Sequence, residues 1–431
     1  MTGTDPYVPG HGDASYHVAH YDLDFAYKPE GNRLDATTTL RCVAVDDLTR
    51  VRMDLHQLRV ARVTVNGRVP ARYTHRDGAL AVWLTSPIAA GTEFEVRVKF
   101  SGQPAILKSK TLGDAGWEEL SDGVIVAAQP HGAPTWFPCN DRPDDKATYA
   151  FTVTAPNGYH VAMSGELLDT TARGSSVVWR YRQDAPMATY LATCQIGRYA
   201  VIEQDGPVPL RVAAPTDVAG DGFDATFGRQ PDMMRFFETV FGPYPFACYT
   251  TVITDDDLEI PLESQSLSTF GRNFCEDDWD RIRLVAHELA HQWFGNAVTL
   301  RRWQDIWLHE GFACYAEWLW SEESGSDSVD ERARHHHGRL RKSKDLLLAD
   351  PGPELMFDDR VYKRGALTLH ALRAEVGSEA FFGLLQSWVK TNLGGSVTTE
   401  DFVAHCQQET GRSLTGLFDA WLFQTDLPDL P

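Results

Sequence analysis

The chain has 431 residues, 43% of them apolar and 23% charged, which is too long for one ordinary core and too average for a disordered or fibrous protein. Its formal net charge of −20 argues against nucleic acid or an anionic membrane as partner. No apolar run approaches the roughly 18 residues of a membrane span. The start, Met-Thr-Gly-Thr-Asp-Pro, lacks the basic and apolar regions of a secretory signal, and the seven cysteines are scattered with no Cys-x-x-Cys pair. Free thiols in a cytoplasmic protein are the expectation.

From about residue 15 to 215 the pattern is β. Phe94, Val96, Val98 and Phe100 alternate with charged or small neighbours, the period-2 mark of a half-buried strand. Asn66-Gly67 predicts a hairpin turn, and further alternating stretches occupy Asp22–Ala26, Thr148–Thr154, Val177–Tyr181 and Tyr190–Tyr199. No helix of ordinary length is needed, and an antiparallel sheet or sandwich domain over residues 1–215 is expected. Around residue 220 the texture changes. Asp232–Phe241 reads as a helix closed by Gly242-Pro243, and Tyr249–Ile253 as an edge strand leading into the acidic loop Asp255-Asp256-Asp257. Beyond it, helices are predicted over 280–294, 305–322, 328–348, 361–376, 378–391, 399–410 and 414–424. The whole is an α+β chain of two domains, the second covering 216–431. The run His335-His336-His337 lies on one of these helices, where consecutive side chains point in different directions, so it does not suggest a metal site.

The chemistry concentrates in His287-Glu288-Leu289-Ala290-His291 and, after eighteen residues, Glu310. Positions i and i+4 share a helix face, so His287 and His291 can address one ion. Two imidazoles and a carboxylate with an open fourth position are the ligand set of a catalytic zinc. Glu288, beside the first ligand, is placed to take a proton from activated water. Amide hydrolysis also generates an oxyanion that needs a donor. Tyr362 opens a helix and Glu263 follows a strand; from spacing alone they read as a packing residue and a solvated carboxylate. Glu317, two turns past Glu310, is suited either to orienting a ligating imidazole or to a surface salt bridge.

From about Gln129 to the end, the sequence resembles the M1 family of zinc aminopeptidases, the gluzincins with a thermolysin-like catalytic domain. The resemblance rests on His-Glu-Leu-Ala-His-Gln-Trp-Phe-Gly-Asn-Ala-Val-Thr from residue 287 and on Trp-Leu-His-Glu-Gly-Phe-Ala around Glu310. Phe241-Gly-Pro-Tyr-Pro-Phe246, Trp136-Phe-Pro-Cys-Asn-Asp-Arg-Pro143 with Lys146-Ala-Thr148, and the ending Trp421-Leu-Phe-Gln424 are similar to further family segments. The resemblance implies a saddle-shaped β domain before a helical catalytic domain. It implies one zinc per chain on His287, His291 and Glu310, with Glu288 as general base and Tyr362 stabilising the tetrahedral intermediate. Glu263 aligns with the glutamate of Gly-Ala-Met-Glu-Asn that holds the substrate's free α-ammonium, and Gln129 with a glutamine of the first substrate pocket. The implied partners are peptides with a free N-terminus.

The chain departs from the family at three places. Ile260-Pro-Leu-Glu-Ser264 replaces Gly-Ala-Met-Glu-Asn, and Pro261 removes a backbone donor beside the substrate. Arg364 stands for the lysine of Tyr-x-Lys-Gly, and His309 for an asparagine. The chain ends at the catalytic domain, which leads us to expect an open cleft. Two functions compete with this one: a zinc peptidase whose altered Glu263 loop no longer reads the N-terminus, and a non-catalytic interaction protein of the same family, a class that typically loses the zinc ligands or the base, all four of which are intact here.

Overall fold

The computed structural model describes residues 5–343 and 346–431. The period-2 pattern of the first half builds a seven-stranded sheet. Glu93–Gly102 buries Phe94, Val96, Val98 and Phe100 and exposes the charged residues between them. In spatial order the strands are Glu166–Arg173, Ser176–Met187, Ala147–Pro156, Tyr16–Lys28, Arg33–Ala44, Glu93–Gly102 and Arg59–Val65. Only the pairing of Tyr16–Lys28 with Ala147–Pro156 is parallel. A three-stranded sheet (Leu48–Asp54, Ala79–Ile88, Arg72–Arg76) and a four-stranded one (His160–Met163, Cys194–Gly197, Gly123–Ala127, Gly116–Leu120) complete this part. Trp136 fills the space among them, its ring 4.6 Å from Phe137 and 5.9 Å from Phe25 in edge-on contacts.

Three local expectations change. Asn66 and Gly67 both have positive φ, as a tight turn requires, but the turn closes only Val65 on Arg68. The strand after it, Arg72–Arg76, leaves for another sheet. Tyr190–Tyr199 is not one strand: Thr189–Leu191 is a 3₁₀ turn and only Cys194–Gly197 pairs. Tyr249–Thr254 is not at an edge either. It is the middle of a five-stranded sheet ordered Ala200–Gln204, Leu210–Ala214, Tyr249–Thr254, Leu267–Gly271, Leu262–Ser264, and it runs parallel to both neighbours. Its residues are nearly all buried, which is how a central strand differs from a half-exposed one. This sheet spans residue 215, whereas a division after Gly197 leaves every sheet whole.

Nine helices are described: α1 (Asp221–Ala225), α2 (Gln230–Phe241), α3 (Trp279–Ala290), α4 (Trp307–Glu323), α5 (Val329–Leu340), α6 (Asp359–Val376), α7 (Ser378–Asn392), α8 (Thr399–Thr410) and α9 (Thr415–Leu422). Asp278, Ser328, Asp358 and Thr398 cap α3, α5, α6 and α8 with side-chain oxygens. The helix expected over 328–348 ends at Leu340, and residues 344 and 345 of that span lie outside the described residues, as do residues 1–4 at the start. His336 of α5 stacks on Trp318, 5.2 Å between ring centroids, and His337 is buried against the Pro428 carbonyl. Two members of the histidine run are therefore packing residues. No helix among the described residues is long and apolar enough to cross a membrane, and all seven cysteines are unpaired.

Candidate active site

The sequence reading carries α3 on to residue 294, but it ends at Ala290. Three wide turns follow, in which Asn296, Ala297 and Val298 donate to the carbonyls of His291, Gln292 and Trp293, each five residues back. His291 keeps helical backbone angles at the cap, so it still stands one turn above His287. The aromatic side chains of Phe237, Phe241 and Tyr244 surround Trp293 and hold this turn in place. Tyr244 and Phe241 belong to the segment Phe241–Phe246 singled out in the sequence. α4 packs across α3 and brings Glu310 from its first turn. It also packs tightly on α6, where Gly311 meets Gly365: a Cβ on Gly365 would lie 2.7 Å from the Gly311 Cα. That contact sets Tyr362 beside the histidines, its ring stacked 5.9 Å from that of His287.

His287, His291 and Glu310 converge and are all buried. Glu310 Oε2 lies 3.2 Å from His287 Nε2 and 3.4 Å from His291 Nε2. Ligand atoms arranged tetrahedrally about 2.0–2.1 Å from a zinc ion are about 3.4 Å apart, so the spacing suits that ion. The outer nitrogens are occupied. His287 Nδ1 is 2.8 Å from Glu317 Oε1 and His291 Nδ1 is 3.0 Å from the Phe294 carbonyl. Both partners are acceptors, so each Nδ1 carries the hydrogen and each Nε2 turns its lone pair inward. Burial alone would lower the His291 pKa, yet Glu310 and Glu263 reverse this and raise it to about 10. The same histidines outweigh burial at Glu310 and hold its carboxyl well below the usual range. The site is built to stabilise positive charge.

Glu317 is itself a buried carboxylate, kept ionised against the cost of burial chiefly by Lys363 at 3.9 Å and Arg283 at 3.3 Å. Neither cation was anticipated. Arg283 lies one turn before His287, so i,i+4 spacing was the available signal. Lys363 follows Tyr362 directly and also reaches Cys314 Sγ at 3.2 Å.

Glu288 and Glu263 gather at His291. One ligating atom from each of Glu263, Glu288 and His291 lies within 4.8 Å of the others. Burial pushes the Glu288 carboxyl up to about 8 and raises that of Glu263 as well. Gln129 Nε2 donates to Glu263 Oε1 at 2.6 Å across the two halves of the chain. Burial, followed by Glu310, Glu263 and Glu288, raises the Tyr362 phenol well above its ordinary pKa, so it is a hydrogen-bond donor here. All seven residues predicted for the site are thus brought together.

The departures sort differently. Arg364 points away from the histidines and donates to the carbonyls of Leu346, Ala420, Trp421, Gln424, Thr425 and Asp426, which pins the C-terminal segment. His309 accepts the Leu300 N–H at 2.7 Å, and burial lowers its pKa to about 3. Ile260 is 70% exposed ahead of the strand that carries Glu263.

Residues 17–191 match the model of the peptidase M1 N-terminal domain, and residues 226–421 that of the peptidase family M1 domain. The M1 zinc metallopeptidase of Deinococcus radiodurans superposes with a TM-score of 0.90 at 31% identity, covering 99% of this chain and 98% of that one. A mutant of that protein, solved with the substrate Tyr-Ser-Ala, matches with a TM-score of 0.90 at 30% identity. Aminopeptidase N of Streptomyces lividans is 29% identical over 93% of this chain and 49% of its own length. For aminopeptidase M1 of Arabidopsis thaliana the figures are 26%, 72% and 38%. The chain spans about half or less of the length of these curated relatives.

Proposed function

Because the chain belongs to peptidase family M1, we propose that it is a zinc aminopeptidase, removing N-terminal residues from peptides by metal-activated water. The observation that carries this reading is the placement of Glu263 within 4.8 Å of Glu288 and His291. An α-ammonium nitrogen is only about 2.5 Å from its own carbonyl carbon. An ammonium paired with Glu263 therefore presents the first peptide bond, and no later one, to Glu288 and the metal residues.

Zinc held by His287, His291 and Glu310 supplies Lewis acidity that lowers the pKa of water and polarises a carbonyl. Glu288, a carboxylate of raised basicity, accepts the proton of the attacking water and returns it to the departing amine. The Tyr362 hydroxyl donates to the oxyanion. Gln129 donates to one oxygen of Glu263, which orients the carboxylate and leaves its remaining lone pairs for the ammonium. Roles for Arg283, Lys363 and Glu317 follow from His287, whose inward nitrogen they keep aimed. Seven unpaired thiols fit a reducing compartment, and we read the protein as cytoplasmic, acting on peptides and not on nucleic acid or membranes.

Hydrolysis of a panel of aminoacyl-arylamides, with and without chelator, tests the reading. Chelator-sensitive activity should vanish in Glu288→Ala, fall on the order of 100- to 1,000-fold in kcat in Tyr362→Phe, and be lost on N-acetylation of the substrate. Equal rates on free and acetylated substrates would remove the aminopeptidase reading in favour of a peptidase blind to the N-terminus.

A further inference from the structure

The strand that carries Glu263 is three residues long and lies at the edge of its sheet. It pairs with a single neighbour, Leu267–Gly271, so its own ladder does little to fix its distance from the histidines. Side chains from the turn after α3 do this instead. Gln292 Nε2 donates to the Ser264 carbonyl at 3.1 Å, and Gln292 Oε1 accepts the Ser266 N–H at 2.8 Å. Asn296 Nδ2 donates to the same Ser264 carbonyl at 3.1 Å. All four residues are buried, where such bonds are strong and a missing partner is costly. Ser266 has a φ of +59°, an uncommon left-handed backbone for serine, so the hairpin has a defined shape where Gln292 grips it. From the opposite side the first half of the chain holds the same tip. Gln265 N–H donates to the Leu191 carbonyl at 3.2 Å, and the Gly165 N–H to Ser266 Oγ at 2.7 Å.

We propose that Gln292 is a positioning residue that sets the spacing between the substrate's α-ammonium, held at Glu263, and the metal residues, with Asn296 as a second support. The proposal rests on the aminopeptidase reading given above. Gln292 is the neighbour of His291 in the chain, so the ligand and the clamp share one turn of backbone. Slippage of the hairpin against that turn moves Glu263, and with it the ammonium anchor, relative to the metal residues and leaves the ligands, the base and the phenol where they are. The signature is therefore lost use of the α-amine, not lost chemistry.

The test compares Gln292→Met, of similar length without donor or acceptor, with Gln292→Glu, which keeps the acceptor for Ser266 and loses the donor to Ser264. Two quantities are read: kcat and KM on the best aminoacyl-arylamide, and the inhibition constants of the matching free amino acid and its deamino acid. The ratio of the two constants measures the advantage conferred by the amine. In the unmodified protein that advantage should be about 10- to 200-fold, the usual range for a hydrogen-bonded charge. In Gln292→Met, with one zinc still bound per chain, KM should rise about tenfold while kcat falls less than about threefold, and the advantage should shrink to about threefold or less. Gln292→Glu should lie between the two. An undiminished advantage accompanied by a loss of kcat or of melting temperature would overturn the proposal, leaving Gln292 a structural glutamine. Should Gln292→Met fail to fold, Gln292→Glu, which loses the donor to Ser264, carries the test by itself, and an unchanged amine advantage in that variant overturns the proposal equally. If the unmodified protein binds both acids alike, the aminopeptidase reading fails, and the positioning role with it.

Discussion

At the scale of single residues, the site is arranged so that each imidazole is committed before a metal arrives. His287 spends its outer N–H on Glu317, and Glu317 is kept ionised by Lys363 and Arg283, both on neighbouring helices. A chain of three charges, of which Glu317 and Lys363 are buried and Arg283 is half-buried, thus ends in one oriented lone pair. Glu317→Gln preserves shape and removes the charge. It should weaken zinc binding by about 10- to 100-fold, measured by competition with a chelator of known affinity. Retained affinity would mean that the wider packing, not the carboxylate, orients the ring. The spacing of Glu317 from Glu310 made this contact legible in the sequence as one of two options. Its cations were harder to see, because Lys363 reaches it from another helix. Gln292 and Asn296 left no signal of their own, since they act on backbone atoms 28 and 32 residues away.

At the scale of elements, the crossing of α4 and α6 fixes how far Glu310 stands from Tyr362. The helices touch at Gly311 and Gly365 with no side chain between them. Gly365→Ala introduces a Cβ 2.7 Å from backbone and should cost about 1–3 kcal/mol in denaturant melts. It should also lower kcat, because the phenol moves off its position. Gly338→Ala on α5 is the control. A Cβ there meets nothing within 4 Å, so helix propensity should make it neutral or stabilising by about 0.5–1 kcal/mol. Most elements were legible because period and caps coincide, as at α8, where Thr398 and Asp401 form a capping box. The end of α3 was not. Trp293 continues the apolar stripe of the helix, and the stripe persists although the backbone has already opened into wider turns. Apolar spacing reports burial and not hydrogen bonding, and the two part company there. The strand Tyr249–Thr254 misled for a related reason, since a short apolar run does not say how many neighbours it has.

At the scale of the molecule, the two halves meet through polar atoms as well as apolar ones. Lys146, from the segment after Pro143, is buried and donates to the carbonyls of Asn296 and Ala297 and to Thr299 Oγ1, at 3.0, 3.2 and 2.9 Å. Its acceptors are neutral, and burial lowers its pKa from 10.5 to about 7. Between those values the unfolded chain holds one proton more than the folded one, so the contribution of this group to stability increases as pH rises from about 7 to 10.5. Relative to Lys146→Met, the unmodified protein should therefore gain stability across that window, by up to about 1.4 kcal/mol per pH unit in paired urea melts. A difference that stays flat with pH would mean that the ammonium remains charged when buried. At the far end of the chain, Tyr7 receives the Gly352 N–H and Asp5 receives that of Trp303, so residues before the first strand also fasten the second half.

The hairpin tip between Ser264 and Leu267 bears on how such proteins can be recombined. Its shape is dictated jointly: Leu191 and Gly165 hold it from one half of the chain, Gln292 and Asn296 from the other. A chimera spliced after Gly197 from two relatives would keep every sheet whole and every expected zinc ligand in one parent. It would nonetheless inherit half of its hold on the hairpin that carries the proposed ammonium anchor, Glu263, from the parent that supplied only the β-sheets. On the aminopeptidase reading proposed above, selectivity for the N-terminal residue is a hybrid trait.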